Sequence, residues 1–293
     1  MIKNYRKTKI LATIGPSSEK INKIEKLVLS GVDAFRINCS HTKDSKLKNY
    51  VENIRKVEKK LKRPIGILID LQGPKLRIGE INENQLVLKK GQKISLINRK
   101  KGSNKNEIPL PEENIFKSVK VNHPIFIDDG KIKLKVLKVS KNIIEARVIL
   151  DGILKSKKGI NLPETHLKNS ALTSSDKKNV KAGIKLGVDW IALSFIQSPK
   201  DIKDLRKICK NISIMAKIEK PTALNYINEI TKLADGLMIA RGDLGVELPI
   251  QDVPGWQKKI IREARILGKP VVVSTQMLES MITSKTPTRA EVS

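Results

Sequence analysis

Seven short apolar runs recur along the chain with amphipathic stretches between them, and this alternation limits the fold more than any other feature. The runs cover residues 10–14, 34–37, 65–69, 190–193, 214–218, 236–240 and 270–274. Each is apolar at nearly every position, which marks a strand buried on both faces, the condition of a parallel sheet. Helices are expected near residues 18–30, 43–62, 173–187, 199–210, 222–234 and 255–268. Local signals mark two of their starts. Thr173-x-x-Asp176 has the form of a capping box, and Ser198-Pro199 pairs an N-cap residue with a proline at the first helical position. Strand–helix alternation of this kind predicts an α/β barrel or a doubly wound sheet.

One segment breaks the alternation. From Gly73 to Lys168 the chain is rich in Val, Ile and Lys with a period of two, as in QLVLKKGQKISLI and KIKLKVLKVSKNIIEARVIL. This predicts an antiparallel β domain inserted after the third strand. The expected division is 1–72 for the first part of an α/β domain, 73–168 for the insert and 169–293 for the second part. A (β/α)₈ barrel needs eight strands and only seven are found, so the expectation is a barrel cut short before strand 8, or another fold.

The net charge of +28 admits nucleic acid, an anionic membrane or phosphorylated small molecules as partners. Lysines are spread along the whole chain and aromatics make up only 3%, whereas single-strand binders add stacking rings. Lysine-rich solvated faces account for the charge, and no specific nucleic-acid partner is expected. No run of 18 apolar residues exists, so no membrane partner is expected either. The segment MIKNYRKTKILATIG lacks the apolar core of a secretion leader, and Cys39 and Cys209 lack metal-site spacing. Both point to a reducing, cytoplasmic setting.

Polar residues cluster at the C-terminal ends of the strands, where barrels and open parallel sheets hold their active sites. Arg36, Asn38 and Ser40 follow the second strand and Asp70 ends the third. Ser194 follows the fourth, Lys217 and Glu219 end the fifth, Arg241 and Asp243 follow the sixth, and Thr275 and Gln276 the seventh. Any one of them is explained by a loop cap; all of them together are not. Glu219 and Asp243 are hard oxygen ligands suited to Mg²⁺. Arg36, Arg77 and Lys217 suit phosphate and carboxylate oxygens. Gly242 admits close backbone approach at the start of a short helix. A metal beside a ring of cations is apparatus for phosphoryl transfer. Lys217 and Glu219, two apart on a strand, share a face, and a plain ion pair is the competing explanation for them.

These motifs resemble pyruvate kinase. IMAKIEKPTAL matches that family's active-site signature, as do FRINCSH (35–41), IDLQGPKLRIG (69–79), FIDDG (126–130), SKKGINLP (156–163), LSFI (193–196), IARGDLGVELP (239–249) and STQMLESM (274–281), continuing to PTRAEVS (287–293). The resemblance implies a TIM (β/α)₈ barrel, here lacking strand 8, with an inserted antiparallel β-barrel lid. It implies phosphoryl transfer from phosphoenolpyruvate to ADP, giving pyruvate and ATP in the last step of glycolysis. Lys217 would stabilise the transferring phosphoryl and Arg36 would contact it. Glu219 and Asp243 would hold Mg²⁺ or Mn²⁺. Gly242, Asp243 and Thr275 would bound the pyruvate pocket. Asn38, Cys39, Ser40, His41, Arg77 and Lys158 would meet the nucleotide, although a structural role suits the small thiol of Cys39 and also His41. Asp129 would sit at the lid's active-site edge, with Asp128-Asp129-Gly130 read otherwise as a hairpin turn. On this reading ligand and metal, rather than each other, neutralise Lys217 and Glu219.

Asn38, Ser40, Asp70 and the Leu71 carbonyl correspond to the family's monovalent-cation ligands. Lys75 stands where potassium-dependent members carry glutamate, so its ammonium is expected to replace K⁺. Members continue past this segment into an eighth strand and a C-terminal domain with part of the subunit interface. The chain is therefore expected to be incomplete, inactive alone, and a homotetramer when full length. Two competing readings stand beside this one. An Mg²⁺-dependent, enolate-forming aldolase or lyase would need neither the lid nor Arg77 and Lys158. A non-catalytic basic binding protein, or a non-catalytic truncated form, would leave the aligned strand ends unexplained.

Overall fold

The computed structural model describes residues 6–40, 42, 44–104, 106–167 and 170–292. The chain opens with β1 (Leu11–Thr13), α1 (Ile21–Leu29), β2 (Ala34–Asn38), α2 (Asp44–Leu61) and β3 (Gly66–Asp70). The inserted region follows, with β4 (Gln85–Leu88), β5 (Lys93–Ile97), β6 (Glu107–Pro109), α3 (Glu113–Ser118), β7 (Pro124–Ile127), β8 (Ile132–Val139), β9 (Ile143–Leu150), β10 (Gly152–Lys155) and β11 (Ile160–Asn161). The alternation then resumes with α4 (Ser174–Leu186), β12 (Trp190–Leu193), α5 (Pro199–Arg206), β13 (Ser213–Ile218), α6 (Pro221–Leu224) and α7 (Ile227–Leu233). It ends with β14 (Gly236–Ala240), α8 (Arg241–Glu247), α9 (Val253–Ile266), β15 (Val271–Ser274) and α10 (Arg289–Val292).

The seven expected strands form one all-parallel sheet, in the order β1-β2-β3-β12-β13-β14-β15. It curls into a nearly closed barrel with the helices outside. Period two sorts the side chains. Ile67, Ile69, Ile191, Leu193, Ile214 and Ala216 point outward into the core shared with the helices. Leu68, Ala192, Met215 and Met238 fill the barrel interior with Leu11 and Val272. Two residues further along β3, the turn after β12, and β13 come Asp70, Ser194 and Lys217. The pleat therefore aims them inward at the mouth.

Local signals hold where they are expected. Thr173 and Asp176 form the capping box of α4, and Asp176 Oδ1 also accepts the Gln72 and Gly73 amides, at 3.0 and 3.4 Å. Asp201 Oδ2 accepts the Ser198 amide at the start of α5. The helix expected over 222–234 is broken into α6 and α7, because Tyr226 leaves the helical region at φ −117°, ψ 19°. Helix α4 lies so close to the sheet that a Cβ on Gly183 would sit 2.5 Å from Ile69 Cδ1. Gly183→Ala is therefore expected to destabilise by about 1–3 kcal/mol through overpacking, beyond the roughly 1 kcal/mol that alanine gains in a helix. Urea unfolding checks this; a more stable variant would refute the tight α4–β3 contact.

The inserted region has its own core, running from Leu76 to Leu167 and separate from that of the barrel. A six-stranded sheet, β11-β7-β8-β9-β5-β6, stands beside the β10–β4 pair. Every pairing of named strands here is antiparallel except β5 with β6. β6 lies beside β5 in the same direction, with Ser95 opposite Glu107 and Ile97 opposite Pro109, so the two are not joined as a tight hairpin.

Candidate active site

Lys217 is the hub of the barrel mouth. Its Nζ lies 2.7 Å from Glu219 Oε1, 3.2 Å from Asp70 Oδ1 and 2.8 Å from Ser194 Oγ, to which it donates. Burial opposes its charge, but the Glu219 and Asp70 carboxylates outweigh burial and raise its pKa. Lys217 and Glu219 pair directly, and the neutralisation by ligand and metal expected of them belongs to the loaded site. Alternation puts them on one face, and at 8% and 1% exposure neither charge can find water instead.

Asp70 is shared. Its Oδ2 takes the Arg36 guanidinium at 2.6–2.7 Å, and a further Arg36 N–H donates to Thr13 Oγ1 at 3.0 Å. Arg36 is thus pinned from β1 and β3 while its edge stays partly exposed. Glu219 Oε2 accepts the Phe195 amide at 2.6 Å, while Oε1 is held by the Lys217 ammonium at 2.7 Å. Burial raises the Glu219 carboxyl against the pull of Lys217, and the Asp243 carboxylate raises it further. Among the described residues no cluster of three or more metal-ligating side chains exists. A buried carboxylate within the field of a second one, Asp243, nonetheless suits Mg²⁺, which takes one or two carboxylates and draws its other ligands from substrate and water.

Arg36, Lys217, Asp243 and Thr275 line one cavity of about 320 Å³ that also runs into the barrel along Leu11, Met238 and Val272, between strands β1 and β15, which do not pair with each other. A larger one of about 630 Å³ adjoins it across Asp243 and Thr275, lined by Arg241 and Gly242 from the barrel and by Lys75 and Asp129 from the inserted region. Thr275 sits in the left-handed region at φ 76°, strained for a β-branched residue. The Arg241 guanidinium holds this loop by donating to the Ser274, Thr275 and Gln276 carbonyls. Thr275 Cγ2 would lie 2.9 Å from any Cβ on Gly242, which is why glycine fits there.

The structure places the remaining expected residues less closely together. Arg77 and Lys158 lie on adjoining backbones of the inserted region, where Ile78 N–H donates to Lys158 O and Arg77 Nη1 to Lys157 O. Lys158 Nζ contacts Asp128 at 2.9 Å and lowers its carboxyl pKa. Neither Arg77 nor Lys158 lines the two cavities. Asn38 Oδ1 accepts the Ser40 amide, and Leu71 O accepts the Ser194 hydroxyl at 2.7 Å. The Cys39 side chain is buried in the barrel core, so the nucleotide contact expected of it is not available through sulfur. His41 lies outside the described residues.

Three features of the site are not legible in the sequence. Ser194 stands there only as a strand-end polar residue, and nothing marks the Phe195 amide. Arg241 follows a strand without any sign of its grip on the next loop. A buried cluster goes unmarked altogether: Asn161 Nδ2 on β11 donates to Glu247 Oε1 on α8 at 2.9 Å, and Lys220 Nζ meets the same oxygen at 3.1 Å. The one available signal is a run of charges inside IEKP and DLGVE, which says that something must pair with them but not what.

The family profile described as the pyruvate kinase barrel domain matches residues 5–293. A pyruvate kinase of Methylorubrum extorquens is 49% identical over the whole of this chain and 61% of its own length. One of Agrobacterium vitis is 48% identical over the whole chain and 62% of its length, and one of Thermococcus litoralis is 41% identical over 98% of the chain and 61% of its length. The chain therefore spans about three fifths of the length of these relatives.

Proposed function

Because the chain belongs to the pyruvate kinase family, we propose that the protein transfers the phosphoryl group of phosphoenolpyruvate to ADP, giving pyruvate and ATP. The observation that carries this reading is the convergence of Arg36, Lys217, Asp243 and Thr275, from four different strand ends, on one cavity. Two cations, a carboxylate and a hydroxyl converging there suit a phosphorylated carboxylic acid. The inserted region would act as a lid, and its Lys75 and Asp129 line the larger cavity that shares Asp243 and Thr275 with this one. An aldolase or lyase would have no use for such a lid or for the paired Arg77 and Lys158.

In this mechanism Arg36, pinned by Asp70 and Thr13, presents its free edge to the phosphate. Lys217 lies beneath the transferring phosphoryl and offsets the charge that builds on its oxygens. Glu219 and Asp243 would hold Mg²⁺ or Mn²⁺, which when bound neutralises phosphate and enolate oxygens. Gly242 would leave room beside Thr275 for the substrate carboxylate, and the Thr275 hydroxyl would face the enolate carbon. Asn38, Ser40, Arg77 and Lys158 would meet the nucleotide from barrel and lid. Among the described residues no helix is long and apolar enough to cross a membrane; a cytoplasmic homotetramer acting in glycolysis is the setting proposed. A coupled assay of the full-length protein with phosphoenolpyruvate, ADP and Mg²⁺ tests the reading: pyruvate formation is expected, and its absence would overturn it.

K⁺ is proposed to be dispensable. Lys75 lines the cavity that also contains Gly242, Asp243 and Thr275. Three of the four groups expected to bind the ion already accept within the protein: Asp70 from Arg36 and Lys217, Leu71 O from Ser194, and Asn38 Oδ1 from the Ser40 amide. Turnover in a buffer free of K⁺, Na⁺ and NH₄⁺ is expected to change little when K⁺ is added. Lys75→Glu, a change of two charge units, is expected to make K⁺ activate roughly tenfold or more, which needs only about 1.4 kcal/mol. Strong activation of the unmodified protein would sink the idea.

A further inference from the structure

The turn after β12 touches both charges of the hub through adjacent residues. Ser194 Oγ accepts from Lys217 Nζ at 2.8 Å, and its own proton reaches Leu71 O at 2.7 Å and, more distantly, Asp70 Oδ1 at 3.2 Å. Phe195 N–H donates to Glu219 Oε2 at 2.6 Å. Ser194 is 1% exposed, so no solvent competes for its hydroxyl. Phe195 adopts φ 55°, a conformation rare for an aromatic residue, and this turns its amide toward Glu219. Gly73 makes room for the turn: a Cβ there would lie 2.8 Å from the Phe195 ring and 3.2 Å from Ser194 Cβ.

Of the three groups around the Lys217 ammonium, Ser194 is the neutral one. The two carboxylates draw the ammonium toward themselves and away from the cavity. A hydroxyl that accepts without opposing charge sets the direction of the ammonium and leaves its charge available. The amide on Glu219 Oε2 likewise holds that carboxylate independently of Lys217. We propose that the Ser194–Phe195 dipeptide is the positioning element of the site, its hydroxyl aiming Lys217 and its amide aiming Glu219. The inference rests on the phosphoryl-transfer reading above.

Without the hydroxyl, the ammonium settles onto Asp70 and Glu219. Displacement of a catalytic group by about 1 Å costs on the order of 10² in rate, so Ser194→Ala in the full-length protein is expected to lower kcat by about 10–10². KM for phosphoenolpyruvate, set largely by Arg36 and the metal, is expected to stay within about threefold, well short of tenfold. Mn²⁺ affinity, measured by titration calorimetry without substrate, is also expected to hold, because the Phe195 amide still fixes Glu219. Ser194→Cys keeps nearly the same volume with a weak acceptor and is expected to show the same split; it serves if the alanine variant does not fold. Thr231→Val is the control, since this buried hydroxyl only back-bonds to Ile227 O at 2.6 Å and its loss is expected to affect stability alone. Unchanged kcat in either Ser194 variant would overturn the proposal. Parallel losses of kcat, KM and Mn²⁺ affinity would overturn it in favour of a merely structural serine. If the unmodified protein forms no pyruvate, the phosphoryl-transfer reading fails and takes this inference with it; active protein with unimpaired Ser194 variants defeats the inference alone.

Discussion

Lys217→Met in the full-length protein is expected to lower kcat by about 10²–10³ or more, the usual cost of removing one preorganised charge stabiliser. The geometry makes the effect specific. The ammonium is 2.7 Å from Glu219 and 3.2 Å from Asp70, and both carboxylates hold it charged in the working pH range. Arg36 lines the same cavity, but its hydrogen bonds to Asp70 and Thr13 hold it at the side of the site away from the Glu219 carboxylate. Binding of phosphoenolpyruvate is expected to survive through Arg36 and the metal, so the loss belongs in kcat. Stability changes less than for a typical broken buried pair, for which about 3–5 kcal/mol is usual. Asp70 keeps Arg36, and Glu219 keeps the Phe195 amide. Steady-state kinetics decides the point, and near-normal kcat would reject the role given to Lys217.

Glu219→Gln is expected to raise the Mg²⁺ concentration needed for half-maximal turnover by about 10²-fold or more. Replacing partners of metal ligands already costs about 10–100-fold in affinity, and loss of a charged ligand itself costs no less. Glutamine preserves the shape and the acceptor for the Phe195 amide, so folding is expected to persist. It removes the charge that, with Asp243, makes the pair suited to a divalent ion. Mg²⁺ titration of activity, with Mn²⁺ calorimetry on the substrate-free protein, provides the check. An unaltered metal requirement would remove Glu219 from the metal site, and Asp243→Asn tests the second carboxylate in the same way.

Much of this site is legible in the order of residues. Lys217 and Glu219 are adjacent on one strand face, and alternation alone requires that. The capping box of Thr173 and Asp176 is equally local, whereas the need for glycine at 242 comes from the packing of Thr275 on the next strand's loop. The ion pair between Lys217 and Glu219 is not legible in the same way, because sequence shows that two charges share a face but not whether a third group separates them. Asp70 reads as an ion ligand, and nothing in the sequence shows that it also balances two cations from β2 and β13. The role of Ser194 follows from its distance to a lysine on the next strand and to a carbonyl just past β3.

By itself, the sequence determined the elements and their facing: strands by period two, helices by amphipathic spacing and caps, the inserted β region by the break in alternation. These depend on interactions within a few residues, which composition and order express directly. The tertiary structure alone decided the partners. Arg36 with Asp70, Ser194 with Lys217, and Asn161 with Glu247 and Lys220 are remote in the chain. Only the register and curl of the sheet set their separations, and at these distances a shift of one ångström decides whether buried charges pair. That dependence on geometry is absent from the order of residues.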